Sequence, residues 1–285
     1  MVYLCCVLIS QGNVTLFKKG GYVVFNNIKY VWQKYKFLLK QLVARDFKVK
    51  YKRSVLGVLW SLLYPLLTMA VMALVFTNVF KFTTPGVNYL SYLMSGLVMF
   101  NYFSEASNLA MSSVVANFSL INKVYMPKYI FPLSKCVFVG INFLLSQIPL
   151  YILLLATGTG INVYHLLLPF VYVCLFLFTL GFSMILSTIA VFLRDMFYIY
   201  GVIISLWTYM TPIMYDIAII DNPMLLFIFK LNPMYWFTYF ARRIMLYNTL
   251  PELNAWIYCL VYALVFLILG IFVFKKNQDK FIYYV

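Results

Sequence analysis

Groups able to make or break covalent bonds are scarce in this chain and lie far apart. It has one histidine, His165, and seven carboxylates (Asp46, Glu105, Asp195, Asp216, Asp221, Glu252 and Asp279), with no two acids at helical spacing. A hydrolase or transferase needs a nucleophile beside a base, two carboxylates set for acid and base work, or a metal cage. No His-Glu-x-x-His, Cys-x-x-Cys, Gly-x-Ser-x-Gly or Gly-x4-Gly-Lys-Ser/Thr run occurs, so metal, thiol, serine and ATP-phosphate chemistry all lack a sequence basis. His165 stands alone at the end of an apolar run, where an interfacial residue explains it better than a catalytic one. Cys5, Cys6, Cys136, Cys174 and Cys259 have no metal-ligand spacing, and the last three sit inside apolar runs, where cysteine behaves as a small hydrophobe.

What the chain does concentrate is positive charge against hydrocarbon. Lys40, Arg45, Lys48, Lys50, Lys52 and Arg53 run directly into Ser54–Phe80, an uncharged stretch of 27 residues, longer than the ~20 needed to cross a bilayer as a helix. Lys and Arg next to a span stay on the cytoplasmic side, which puts the N-terminus inside.

The elements that position these charges follow from composition. With 65% hydrophobic and 10% charged residues, and a mean hydropathy of +0.91, the 285 residues read as a polytopic all-α membrane protein. The net charge of +15 invites a nucleic-acid reading. Nucleic acid is not an expected partner, because the cations flank apolar runs instead of covering a folded surface.

Residues 1–28 form an N-terminal extension. Its opening MVYLCCVLIS lacks a basic n-region and is too short to span, so it makes a poor signal peptide and reads as a weak anchor or a consequence of start-site choice. Over 29–53, apolar Val31, Trp32, Tyr35, Leu38, Leu39, Leu42 and Val43 recur at three and four among lysines, the pattern of an amphipathic helix lying in the membrane interface; a solvated basic linker is the plainer alternative. The last residues before Ser54 fit either an extended or a helical backbone.

Residues 54–285 then form a six-span domain with spans about 55–80, 89–115, 133–157, 166–192, 197–215 and 253–274. Both termini are cytoplasmic on this reading, with eighteen Lys/Arg inside against Lys81, Lys230, Arg242 and Arg243 outside. Glu105, within the second span, should face protein or water. Before the last span, the outer stretch 222–241 is broken at Asn232-Pro233 into pieces too short to cross, which suits a re-entrant hairpin or an interfacial helical pair. One mid-span carboxylate is too little for a proton relay, which disfavours ion-coupled transport.

Five motifs then match a family in order and spacing: Arg45-Asp46 through Tyr51-Lys52-Arg53-Ser54 to Tyr64-Pro65, VYMPKYIFPLSK (Val124–Lys135), VFLRDM (Val191–Met196), TPIMYD (Thr211–Asp216) and LNPMYWF (Leu231–Phe237). From about Tyr30 to the C-terminus the chain resembles the permease subunit of bacterial ATP-binding-cassette exporters for polysaccharides and polyol-phosphate polymers, the type-2 group that includes O-antigen and teichoic-acid exporters.

That resemblance implies a multi-pass protein of the bacterial cytoplasmic (inner) membrane, a homodimer bound to two copies of a separate ATPase subunit. It would move a polyprenyl-diphosphate-linked polymer from cytoplasm to outer face. The chain itself would carry no cofactor, ATP and Mg being held by the partner. It also implies a coupling helix at about 117–126, with Asn117, Leu120, Asn122, Lys123, Tyr125 and Met126 meeting the ATPase, although an ordinary basic connector would read the same way.

Arg45, Lys48, Tyr51, Lys52 and Arg53 lie where the lipid diphosphate would sit, and a planar guanidinium with ammonium groups suits that anion; the same charges could serve only to hold the N-terminus inside. Trp60, Tyr64, Phe76, Tyr102, Phe103, Trp207, Tyr209 and Tyr215 are the expected channel lining, since aromatic rings hold the C–H faces of sugars without fixed hydrogen bonds; lipid-facing positions are the competing reading for each. Arg194 and Asp195 are expected to form a structural ion pair. The rival functions are a polytopic glycosyl- or acyltransferase, which would need an essential Glu105, Asp195 or His165, and a drug or small-lipid exporter permease.

Overall fold

A computed structural model describes residues 22–52, 54, 56–75, 86–121, 126–217 and 221–284 of the 285. The N-terminal MVYLCCVLIS, Arg53, Phe76, Asn122, Lys123 and Tyr125 therefore lie outside the described residues. Among those described the chain is helical: α1 Tyr22–Lys50, α2 Trp60–Val75 after a 3-10 turn at Gly57–Leu59, α3 Tyr89–Ala116, α4 Phe118–Ile121, α5 Ile130–Ala156, α6 Leu168–Phe192, α7 Met196–Met210, α8 Pro223–Leu231, α9 Pro233–Met245, α10 Leu253–Asn277 and α11 Phe281–Tyr284.

The chain divides into two compact units, Met1–Gln41 and Leu42–Val285. Within the first, Lys36, Phe37, Lys40 and Gln41 are exposed and Leu38 and Leu39 half-buried. Helix α1 itself continues to Lys50, so the residues before Ser54 are helical, and the backbone then turns, with Tyr51 N–H donating to Phe47 O at 3.1 Å.

Three segments, Ile130–Ala156, Val163–Phe192 and Leu253–Lys280, are long and apolar enough to cross a membrane by length and composition, while Trp60–Met72 and Met196–Met210 are apolar but shorter. Helix α3 has the length, at 28 residues, yet is diluted by serines and asparagines. The reason is its place: it packs on α2, α5, α6, α7 and α9 and buries most of its residues, so its surface meets protein instead of lipid. Its serines bond back to their own helix, Ser95 Oγ to Tyr92 O at 2.9 Å and Ser113 Oγ to Ala110 O at 2.6 Å, which removes the polar cost and keeps the helix slender for close packing.

Helices α6 and α10 approach each other closely, and two glycines cross there. A Cβ on Gly181 would lie 2.3 Å from Phe266 O, and one on Gly270 would lie 2.3 Å from Gly181 O, so the two backbones touch. Around the crossing, an aromatic cluster fills the interior. The Phe178 ring lies 4.9 Å from that of Phe266 and 5.4 Å from those of Phe103 and Phe237.

A methyl group at this crossing has no room to be absorbed, because the clashing atoms are backbone. Gly181→Ala is expected to destabilise the protein by about 3 kcal/mol, at the upper end of overpacking costs, whereas Gly201→Ala, with nothing within 4 Å, is expected to be neutral. Thermal unfolding of both variants in detergent, followed by tryptophan fluorescence, checks the contrast.

Candidate functional site

The end of α1 is held to the bundle by charge. Asp46, buried in the last turns of α1, accepts from Lys135 Nζ at 2.7 Å and from Arg45 Nη2 at 3.3 Å. Arg45 Nη1 also donates to Asn117 Oδ1 at 3.0 Å, while Asn117 Nδ2 donates to Ser113 O at 2.8 Å, so one asparagine closes α3 and receives α1. One turn on, Lys50 Nζ lies 3.0 Å from Glu105 Oε1 and 5.3 Å from the Phe138 ring centre. Of the described basic block, Arg45 and Lys50 are therefore paired. Lys48 and Lys52 are exposed and meet no acid among the described residues, leaving two cations available to an anion.

Beneath this junction a cavity of about 560 Å³ opens between α2, α3 and α5, lined by Lys50, Tyr51, Trp60, Tyr64, Glu105 and Asn142 among others. A second compartment of about 120 Å³ shares Tyr64, Pro65, Glu105, Asn142 and Ser146 with it and extends to Asn101, Tyr102 and Phe143. Glu105 thus faces protein and a cavity, as its position in an apolar helix requires.

The expected channel aromatics separate into three groups. Trp60 and Tyr64 border the cavity, and Tyr102 forms its inner wall with its ring 5.0 Å from Phe143. Phe103 is a correction: it has no exposure and packs on Trp207 at 4.9 Å and Phe182 at 5.3 Å, so within the subunit it is core and lines no passage. Trp207 shares that cluster and donates Nε1–H to Asn232 Oδ1 at 2.8 Å. Tyr209 is exposed, and the Tyr215 hydroxyl donates to Tyr209 O at 2.6 Å. Leu120 lies in α4 and Met126 just before the Pro127 elbow, both half-buried.

The Arg194–Asp195 ion pair is a second correction. Both side chains are exposed and no ion pair joins them: each charge faces solvent, where pairing gains little. What this dipeptide supplies is backbone: Phe197 N–H donates to Arg194 O at 3.2 Å and Ile199 N–H to Asp195 O at 3.1 Å, opening α7.

At the other end of the bundle the expected fifth span stops early. Helix α7 has 15 residues and ends at Met210, about 22 Å at 1.5 Å per residue, and Thr211–Asp216 leaves the helix. Seven consecutive carbonyls there nevertheless each have a donor. Tyr209 O takes Tyr215 Oη–H, Met210 O takes Asn232 Nδ2–H at 3.1 Å, and Thr211 O takes Ile213 N–H at 2.7 Å. Pro212 O and Ile213 O take Arg242 Nη1–H and Nη2–H at 2.6 and 3.0 Å, Met214 O takes Tyr89 Oη–H at 2.7 Å, and Tyr215 O takes Tyr92 Oη–H at 3.1 Å.

Arg242 is 5% exposed, its guanidinium 3.6 Å from the Tyr92 ring centre, and Gly96 makes its room, since a Cβ there would fall 2.5 Å from Nη2. By sequence this arginine counts among the outer cations, beyond an apolar stretch that ends at Ala241. The helix runs on to Met245 and buries it. An arginine inside an amphipathic apolar helix, downstream of an Asn-Pro cap that can supply a second donor, is the signal in the sequence.

A family model described as ABC-2 type transporter matches residues 38–246, which includes both the cavity and this clamp. The chain belongs to the ABC-2 type transporter family. An O-antigen export system permease protein RfbA of Myxococcus xanthus is 30% identical over 248 residues, 87% of this chain and 95% of the relative. One of Klebsiella pneumoniae is 28% identical over 250 residues, covering 86% and 93%. A polysialic acid transport protein KpsM of Escherichia coli is 27% identical over 120 residues, 42% of this chain and 45% of its own. Members of the family are membrane-embedded transport subunits that work with an ATP-binding subunit, so the chain is not an enzyme.

Removing the Arg242 fork leaves Pro212 O and Ile213 O without a donor in a water-poor interior. Arg242→Ala is expected to cost about 3 kcal/mol or more, at ~1–3 kcal/mol per unsatisfied group, and Arg242→Lys to recover only part, because an ammonium cannot match the fixed planar geometry of the fork. Gly96→Ala should act in the same direction. The measurement is the thermal midpoint of each variant in detergent.

Proposed function

We propose that this chain is the membrane subunit of an ATP-driven exporter that moves a lipid-linked polysaccharide from the cytoplasm to the outer face of a bacterial cytoplasmic membrane. It would act as a homodimer of six-span subunits with two ATPase copies, both termini inside, ATP and Mg being held by the partner. The polymer is a glycan of the O-antigen or capsule kind, or a teichoic-acid-like chain, carried on a polyprenyl diphosphate.

The observation that carries this reading is the cavity bordered by Lys50, Tyr51, Trp60 and Tyr64, in the same basic stretch whose Lys48 and Lys52 are exposed and meet no acid among the described residues. Relatives named as O-antigen and polysialic acid transporters support it. In the mechanism, the diphosphate docks on Lys48, Lys52 and Arg53 at the inner interface, where a partly desolvated ammonium or guanidinium holds it strongly. The glycan follows along Trp60 and Tyr64, whose rings offer stacking without fixed register. Force enters through Asn117–Met126: Asn117 is bonded to both α1 and α3, so a push on this connector reaches the docking charges and the cavity wall together.

The test is co-purification of the tagged chain from its native host in mild detergent. A stoichiometric ATPase subunit is expected, lost when Asn122, Lys123 and Tyr125 are all changed to Ala. The double reversal Lys48→Glu, Lys52→Glu is expected to keep the ATPase bound and to cut surface polymer at least tenfold by glycan staining. Recovery of the chain with no ATPase, or wild-type surface polymer from the reversal, overturns the respective half of the proposal.

A further inference from the structure

The end of the bundle that carries the Arg242 clamp has a cleft of its own. About 250 Å³ in volume, it lies between α9 and the loop that follows α7, and Asp216, Tyr235, Arg242, Arg243 and Tyr247 line it. Several polar groups around it are already engaged. Arg242 holds the loop carbonyls, Tyr92 Oη–H donates to Tyr215 O at 3.1 Å, and Tyr239 Oη–H donates to Glu252 Oε1 at 3.1 Å. Three others are not. The hydroxyls of Tyr235 and Tyr247 and the two Nη groups of Arg243 bond to no described residue, and unlike the buried Arg243 Nε none of them is sealed off. Arg243 also joins no ion pair among the described residues.

Those three groups define what the cleft accepts. A guanidinium only donates and a phenol donates readily, so together they suit a ligand rich in acceptor oxygens, and the planar guanidinium fits a phosphate with two parallel bonds. The fold holds them together: the Arg243 guanidinium lies 5.8 Å from the Tyr247 ring centre, and Thr249 N–H donates to Arg243 O at 3.0 Å where α9 ends. Charge narrows the choice. Two guanidinium groups face one carboxylate, Asp216, so the lining carries one net positive charge and matches a monoanion. A diphosphate would bring a second negative charge against Asp216. Exposed Met214 and Leu250 flank Asp216 and Tyr247 in the chain, so apolar tails on the ligand would find apolar surface.

We propose that this cleft binds the phosphodiester of a membrane phospholipid, with the Arg243 guanidinium holding the phosphate and the Tyr235 and Tyr247 hydroxyls donating to its oxygens. In a membrane subunit the phosphodiester headgroup is the monoanion that carries apolar tails, and basic pockets between helices are suited to it. The bound lipid would brace α9 one residue beyond Arg242, and so steady the loop that Arg242 holds. The inference rests on the chain being a membrane-embedded subunit and on nothing about what it exports.

The test uses the permease–ATPase complex, purified in detergent and washed free of lipid in phosphate-free buffer, with three probes: dioleoylphosphatidylglycerol, dioleoylglycerol and inorganic pyrophosphate. Phenylglyoxal modifies accessible guanidinium groups, and peptide mass spectrometry reads it residue by residue. Arg243 is expected to react in the washed complex and to be protected by the phosphatidylglycerol alone, while the buried Arg242 stays unmodified throughout. Tyr247→Phe is expected to raise the lipid concentration needed for protection a few-fold, about the loss of one hydrogen bond. The same lipid is expected to raise the thermal midpoint of the complex. Arg243→Gln should lose that rise and Arg243→Lys keep part of it, since an ammonium retains the charge without the fork.

Protection by pyrophosphate and not by the phospholipid would make the cleft a diphosphate site. Equal protection by dioleoylglycerol would reduce it to an apolar contact, and no protection by any probe would leave it to water. An undiminished thermal rise in Arg243→Gln would place the lipid elsewhere. Each of these overturns the proposal. None of the readouts involves polymer or nucleotide, so such a failure leaves the exporter reading standing, and loss of the ATPase from the complex would count against that reading alone.

Discussion

Hydrocarbon supplies no hydrogen-bond donors, so a chain that leaves its helix inside a membrane bundle must bring its own. The structure depends on how that condition is met at Tyr209–Tyr215. Helix α7 is too short to cross alone, and the backbone beyond it is irregular. Its carbonyls are taken in order by Tyr215, Asn232, the backbone of Ile213, Arg242, Tyr89 and Tyr92. The donors from outside the loop come from α3, from the cap of α9 and from the body of α9. The break is therefore what fastens the half-length helices to the bundle, and α9, largely buried, packs as firmly as a full span. Helix α8, which provides none of these donors, remains largely exposed.

The end of the bundle that receives α1 obeys a different rule. There water is near, and single ion pairs contribute little, ~0–1 kcal/mol at the surface. The Asp46 site departs from this because its carboxylate is buried and meets Lys135 and Arg45 together. Loss of Asp46 would strand a half-buried Lys135, and stranding of that kind costs more than the pair gains. Hence the acid in Arg45-Asp46 serves architecture, while Lys48 and Lys52, which follow it, are exposed and stay available. The basic block has two layers, and only the outer one suits an anionic ligand.

Much of this is legible in residue order. Length and apolarity mark α5, α6 and α10, and the Pro-Gly and Asn-Pro dipeptides mark the breaks near 85 and 232. What residue order hides is direction. Phe103 and Tyr64 are aromatics in adjoining apolar helices, yet one is core and the other exposed, because most of α3 is covered by its neighbours, with Phe103 on the covered side, and α2 is not. Arg242 counts as an outer cation when charges are tallied by side of the membrane, a tally blind to two loop carbonyls that need a guanidinium. Arg194 and Asp195 look paired because they adjoin, but both face solvent, where a pair gains little, whereas Arg45 pairs with its neighbour Asp46 because that carboxylate is buried.

Helix α3 joins these regions, since it presents Tyr89 and Tyr92 to the break, Glu105 to the cavity and Asn117 to α1. On its covered faces such a helix cannot bend locally without opening voids, since packed interiors do not deform continuously. If the proposed coupling holds, a push at Asn117 would be carried largely as a rigid displacement. It would shift Glu105 against Lys50 at the cavity and the two tyrosine hydroxyls against Met214 and Tyr215 at the far break. The clamp at Tyr209–Tyr215 would then have to yield when the Asn117 end moves, and hydrogen bonds made by rotatable side chains to an irregular loop can re-form after a small slide, which an unbroken helix–helix seam like Gly181–Gly270 could not allow. On this argument, ending α7 in a loop held with side-chain donors is what would let one rigid helix connect a driven end of the bundle to a movable one.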